Sequence, residues 1–227
     1  MRPLTLLGAS LLFALPSIAL ASVVYVTIPL ALRVGVPLAV AVPTQFVLIL
    51  GCMAVAAWFA AGRDRAAGQR VVERLRLVRP RATDVAAGLL VGTAMLASYL
   101  WLSFTGDWMA KWVPLPPPAW LSEFVTQTHL LGIPLAGNWW PVLLYFVIYV
   151  FNVFGEELWW RGYILPRQEC SLGAGAWVAH GLFWNLFHWF FYWDLIALLP
   201  GCLALSWAAQ RTRNTWTAIL AHGILNG

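Results

Sequence analysis

Of the 227 residues, 61% are hydrophobic and only 10% are charged, against about a quarter charged in an ordinary soluble domain. So few charges cannot cover a water-facing surface, and the chain reads as a polytopic membrane protein with the lipid bilayer as its main solvent. The formal net charge of +5 does not indicate nucleic acid, because half of the basic residues fall in one stretch between two apolar runs, "RDRAAGQRVVERLRLVRPR" (63–81), as in a cytoplasmic loop.

A helical span needs about 20 apolar residues. In chain order, the uncharged runs that qualify are 3–32, 34–62, 85–106, 138–155 (extending through two glutamates to 165), 172–193 and 195–210. The stretch "NTWTAILAHGILNG" begins a seventh. These runs predict an all-α, polytopic transmembrane bundle of about seven helices in a single domain, 1–227. The first run opens like a signal peptide, with a basic start and an Ala19-x-Ala21 ending. It continues apolar to Leu32, which favours an uncleaved span.

With the N-terminus in the cytoplasm, Arg2, the seven arginines of 63–81, Arg161, Arg167, Arg211 and Arg213 all fall inside, and only Arg33 and Lys111 fall outside. Residues 107–138 then form an outer loop with a stiff proline-rich stretch, "VPLPPPAW". Its tryptophans suit an interfacial belt, with substrate gating as the alternative. The last run is too short to cross a hydrocarbon core of about 30 Å. Either its final turn faces a water-filled cavity or a C-terminal piece is missing. Cys52, Cys170 and Cys202 are widely spaced, so neither a disulfide framework nor a zinc–cysteine site is indicated.

Intramembrane carboxylates are costly and point to a use. Glu156 and Glu157 are adjacent, hence about 100° apart around a helix. Arg161 lies four residues after Glu157, on the same stripe, and forms a structural ion pair with it. Glu156 then needs partners from other helices, for which the histidines are the candidates. His188 sits near mid-depth in the fifth run. His222 and Asn226 are four apart on the last one and share a face. One carboxylate, two imidazoles and one amide are enough for peptide hydrolysis: the carboxylate and an imidazole deprotonate a water, and the second imidazole and the amide steady the oxyanion. The bland alternative is four polar groups bridging helices. His129 belongs to the outer loop and reads as ordinary. His180 lies about 80° from His188 and could line the same cavity, Asn185 is similar, and Asp194 marks an outer turn.

These residues resemble a known family. "EELWWR" is similar to the E-E-x-x-x-R motif of the CPBP intramembrane proteases, also called the Abi or CAAX-protease family. "HGILN" resembles the family's H-x-x-x-N/D motif. The middle motif, F-x-x-x-H, reads here Trp184-Asn-Leu-Phe-His188, with tryptophan for phenylalanine. The resemblance covers 139–227. It implies that Glu156 and His188 activate the water, that His222 and Asn226 form the oxyanion site, and that Glu157, Arg161 and Trp184 support them.

The family includes eukaryotic CAAX prenyl endopeptidases and bacterial members linked to bacteriocin immunity. A short, arginine-rich chain without organellar targeting points to a bacterial inner membrane and away from a prenylated substrate. The expected partner is a membrane-associated protein or peptide, and the expected cofactor is none. The alternative cofactor is zinc, with Glu156, His188 and His222 as ligands, since family members are often labelled metalloproteases. The alternative functions are a non-catalytic immunity or scaffolding protein on the same fold, and a small transporter using Glu156 as a proton site. The sequence does not define the oligomeric state.

Overall fold

The computed structural model describes residues 2–227. Its helices are α1 (Leu6–Arg33), α2 (Leu38–Asp64), the short α3 (Val71–Arg74), α4 (Ala82–Leu102), α5 (Thr105–Trp112) and α6 (Leu121–Phe124). After these come α7 (Trp140–Glu157), α8 (Leu165–Leu172), α9 (Ala176–Phe187), α10 (Leu195–Thr212) and α11 (Thr215–Asn226). A small antiparallel hairpin, β1 (His129–Leu130) with β2 (Ile133–Pro134), is the only sheet among the described residues. Leu6–Arg33, Leu38–Asp64, Ala82–Leu102 and the long stretch Trp140–Thr212 are long and apolar enough to cross a membrane. Large apolar side chains such as Leu7, Leu15, Phe59, Leu90 and Trp101 cover their outer surfaces, as an all-α integral membrane protein requires.

Two wide π turns interrupt the helices, Val23–Thr27 and Leu158–Ile164, and each is followed at once by a helical proline, Pro29 or Pro166. A proline ring clashes with the carbonyl four residues back and gives that carbonyl no N–H. An extra residue in the turn shifts that carbonyl aside, so the chain continues as a helix across the proline. The run that begins at Trp140 therefore stays helical to Leu172, further than the apolar pattern suggests.

Close backbone approach fixes where α7 crosses α2. A Cβ on Gly155 would stand 2.4 Å from the carbonyl oxygen of Leu50, so only glycine allows this crossing. The same contact sets Glu156 and Glu157, the next two residues, in the middle of the bundle. On the other side α11 lies against α4, and α10 against both α4 and α9.

The arginine-rich end is tied together by polar contacts. Arg76 forms a two-pronged pair with Glu169 at 2.7 and 2.6 Å. The hydroxyl of Thr215 donates to the carbonyl of Leu75, and the Asn214 amide donates to Asp84 at 3.2 Å. Asn214 also caps α11 by accepting from the N–H of Trp216. These contacts set the start of the helix that carries His222 and Asn226.

The helix boundaries depart from the sequence expectation in two further places. The 85–106 run ends as α4 at Leu102, and α5 begins at Thr105. The 172–193 run is not one helix: α9 stops at Phe187 and His188 opens a 3₁₀ segment, His188–Asp194, kinked at Phe191. The run "HWFFYW" is aromatic throughout and carries no glycine or proline, so it gave no signal for the break.

Candidate active site

A cavity of about 530 Å³ opens inside the bundle. Glu156, His188, His222 and Asn226 all line it, together with Asn152, Tyr145, Tyr149 and Trp184. Its apolar wall includes Val42, Phe46 and Leu50 of α2, and the loop residues Trp120, Leu121 and Phe124 border it. Trp120 is buried rather than interfacial, and its indole N–H donates to the carbonyl of Val24 at 3.0 Å, inside the first π turn. No lysine or arginine lines the cavity among the described residues.

Glu156 is 2% exposed and receives three N–H donors. The Asn152 amide donates to Oε1 at 2.9 Å; the indoles of Trp160 and Trp184 donate to Oε2 at 3.2 and 2.8 Å. Oε1 thus keeps more free accepting capacity than Oε2. These partners correct the expectation that histidines would meet Glu156, since His222 bonds Glu157 instead. Nδ1 of His222 and Nη1 of Arg161 both lie 2.8 Å from Oε1 of Glu157. Adjacent carboxylates diverge around the helix, and α11 approaches on the Glu157 side.

The Glu157–Arg161 pair is present and fully buried. Arg161 is therefore an internal charge and not one of the loop charges of the cytoplasmic face. Its guanidinium carbon sits 3.6 Å from the ring centroid of Trp184, a stacked cation–π contact. Trp184 does more than fill the family's aromatic position: its indole donates to one glutamate while its face covers the counter-ion of the other.

His188 is half-buried, with Nδ1 2.8 Å from the carbonyl of Trp184. A carbonyl only accepts, so Nδ1 carries a proton, and in the neutral ring Nε2 keeps its lone pair. Asn226 lies 2.9 Å from Nε2 of His222 through Nδ2, and the same nitrogen donates to Oδ1 of Asn152. Both hydrogens of that amide are engaged, so an oxyanion would have to take one over. The hydroxyls of Tyr145 and Tyr149 hold the last turn of α11 by donating to the carbonyls of Asn226 and Gly223, at 3.0 and 3.1 Å.

His180 does not reach the cavity. It is buried, with Nδ1 on Oε1 of Gln168 and its ring edge-on to Phe13. Asn185 is also buried away from the cavity lining, whereas Asp194 lines it and accepts from the Tyr99 hydroxyl at 3.0 Å. His129 stays in the hairpin beside Thr128. Asn152, Trp160 and the two tyrosines were not singled out from the sequence. Asn152 had a signal: it is a lone amide in an apolar run, four residues before Glu156 and so on its stripe.

The zinc alternative does not fit this donor set. Both ring nitrogens of His222 are engaged by Glu157 and Asn226, and all three donors to Glu156 are N–H groups. Among the described residues no three histidine, cysteine or acidic side chains group closely enough to hold a metal ion.

The fold and the site together define a helical membrane protein whose carboxylate, imidazole and amide side chains surround an internal cavity. Residues 138–227 match the family described as Type II CAAX prenyl endopeptidase Rce1-like. The match covers 90 of the 227 residues, so it is a likeness of the C-terminal part of the chain to that family. No curated protein and no solved structure matches the chain.

Proposed function

We propose that the protein is an intramembrane endopeptidase that hydrolyses a peptide bond of a membrane-associated protein or peptide. The observation that carries this reading is the shared cavity: Glu156 and His188 both line it, and no hydrogen bond joins them. A water between them, oriented by the imidazole, gives its proton to the carboxylate as its oxygen adds to the peptide carbonyl, and Glu156 passes that proton to the amine nitrogen as the C–N bond breaks. The attacked carbonyl oxygen then lies toward Asn226 and takes over one of its N–H groups. His222 donates to it from Nε2 only when both of its ring nitrogens hold protons.

The mechanism proposed is of the glutamate type and needs no metal. The N–H donors fix the Glu156 carboxylate in place and leave accepting capacity on Oε1 for a proton from water, and the second glutamate is already matched by Arg161. The setting proposed is a bacterial inner membrane, with about seven spans and the N-terminus inside. The arginine-rich end of the bundle supports this topology.

Comparing the membrane proteins of cells carrying wild-type protein or Glu156→Gln tests the activity. A membrane protein shortened only by the wild type supports the reading and names the substrate. Equal processing by both defeats it. Purified wild-type protein should keep its activity after prolonged chelation; loss restored by zinc alone would defeat the metal-free mechanism.

A further inference from the structure

Asn152 is bonded on both edges of its amide. Nδ2 donates to Oε1 of Glu156 at 2.9 Å, and Oδ1 accepts from Nδ2 of Asn226. The chain continues from Nδ2 of Asn226 to Nε2 of His222 at 2.9 Å, and from Nδ1 of His222 to Oε1 of Glu157 at 2.8 Å. Three side chains thus connect the two glutamates.

Each link in this chain has a direction. A carboxylate only accepts and an amide nitrogen only donates. Glu156 therefore draws the nitrogen of Asn152 to itself, which leaves only the Asn152 oxygen to face Asn226. That oxygen must be met by a nitrogen, so Asn226 turns Nδ2 inward. One hydrogen of that nitrogen goes to Asn152 and the other to His222. Nε2 of His222 must then accept, and the ring proton sits on Nδ1, directed at Glu157.

The reverse path closes the loop. Arg161 binds Glu157 at 2.8 Å and stacks on Trp184, whose indole donates to Glu156 at 2.8 Å. The loop holds Oε2 from the indole side and Oε1 from the amide side, which fixes the plane of the Glu156 carboxylate.

We propose that Asn152 is a positioning residue of the reaction: with one amide it orients the Glu156 carboxylate and the Asn226 amide and, through Asn226, keeps His222 in the Nδ1–H tautomer. This inference rests on the endopeptidase reading for its kinetic consequence, but not for its hydrogen-bond assignment. Without the Asn152 amide, Glu156 keeps only its indole donors on Oε2. The Asn226 amide is then free to turn over, and nothing defines which nitrogen of His222 carries the proton.

The test uses full-length protein in lipid nanodiscs, labelled with ¹⁵N-histidine, the His222 resonances being assigned with His222→Gln. In wild type, Nδ1 of His222 should appear protonated and Nε2 unprotonated. Asn152→Leu, similar in size but unable to hydrogen-bond, should give a mixture of the two tautomers while the His188 resonances stay in place. On the substrate found with wild type, kcat of Asn152→Leu should fall by about tenfold or more, the usual size for a residue that orients a reacting group. KM should stay within about twofold, since no ground-state contact is removed. A His222 protonated on Nε2 alone in wild type overturns the proposal whether or not any variant folds. Unchanged tautomer and kcat in Asn152→Leu overturn it as well. A wild type that shows the stated tautomer yet cleaves nothing defeats the endopeptidase reading and leaves the hydrogen-bond assignment standing.

Discussion

Trp184 shows how a single substitution within a motif alters the chemistry available to a site. Phenylalanine in its place has a ring to lie under Arg161 but no N–H for Glu156. The structure uses both properties, with the indole nitrogen 2.8 Å from Oε2 and the guanidinium 3.6 Å from the ring. A hydrogen bond to a charged group contributes about 1.5–3 kcal/mol. Trp184→Phe should therefore lower kcat by about tenfold and the thermal midpoint by several degrees, without unfolding the protein, because the ring and its stacking remain. Full activity in Trp184→Phe would show that the two remaining donors, Asn152 and Trp160, are enough. The neighbouring glutamate behaves differently. Glu157→Gln leaves Arg161 buried without its anion and offers His222 a neutral amide oxygen in place of a carboxylate. Breaking one side of a buried pair costs about 3–5 kcal/mol, so this variant should lose folded yield and activity together, whereas Glu156→Gln should insert and fold normally. An active Glu156→Gln beside a stably folded but inactive Glu157→Gln would reverse these assignments.

At the scale of the element, most of the helices were legible because a lipid-facing helix writes its length in apolar residues. Glu156, His188, His222 and Asn226 were legible as well, since a polar side chain in such a run stands out. Two kinds of fact were not. The partner of each glutamate depends on which side α11 arrives from, and no periodicity within α7 contains that. The break at His188 falls in a run that is aromatic throughout, with no glycine or proline to signal it. Gly155 was legible only as a residue, not as a contact, because its meaning lies in the approach of Leu50 from another helix. A methyl group placed 2.4 Å from that carbonyl has to push α7 away from α2. Gly155→Ala should cost about 1–3 kcal/mol through overpacking, and the displaced α7 should lower activity too, since Glu156 and Glu157 follow directly. Thermal unfolding in detergent measures the first effect; a wild-type midpoint would mean that the helices separate without strain.

For the whole molecule, the orientation proposed above rests on the arginines, but not all of them count. Arg161 and Arg74 are 1% and 2% exposed. Arg161 answers Glu157, while Arg74 reaches the carbonyl of Gly162 and packs on Tyr163. Neither is a loop charge of the kind that holds a segment in the cytoplasm. The exposed arginines that remain still gather at one end of the bundle: Arg63, Arg65, Arg70, Arg79 and Arg81 in the long loop, and Arg211 and Arg213 before α11. Arg33 and Lys111 alone belong to the opposite side of this scheme. On that proposed topology, Trp120, Leu121 and Phe124 line the cavity from the outer side. A substrate segment would then meet Glu156 from the outer half of the membrane, with α3 and the arginine loop closing the inner end. Cysteine labelling separates the two orientations. Cys52 and Cys170 are both exposed, so all three native cysteines are first replaced, and single cysteines are placed at Arg70 and at Thr126. In intact cells an impermeant maleimide should label Thr126→Cys and spare Arg70→Cys, and in inverted vesicles the pattern should reverse. Labelling of Arg70→Cys from outside would turn the whole bundle over, and with it the side from which the cavity is reached.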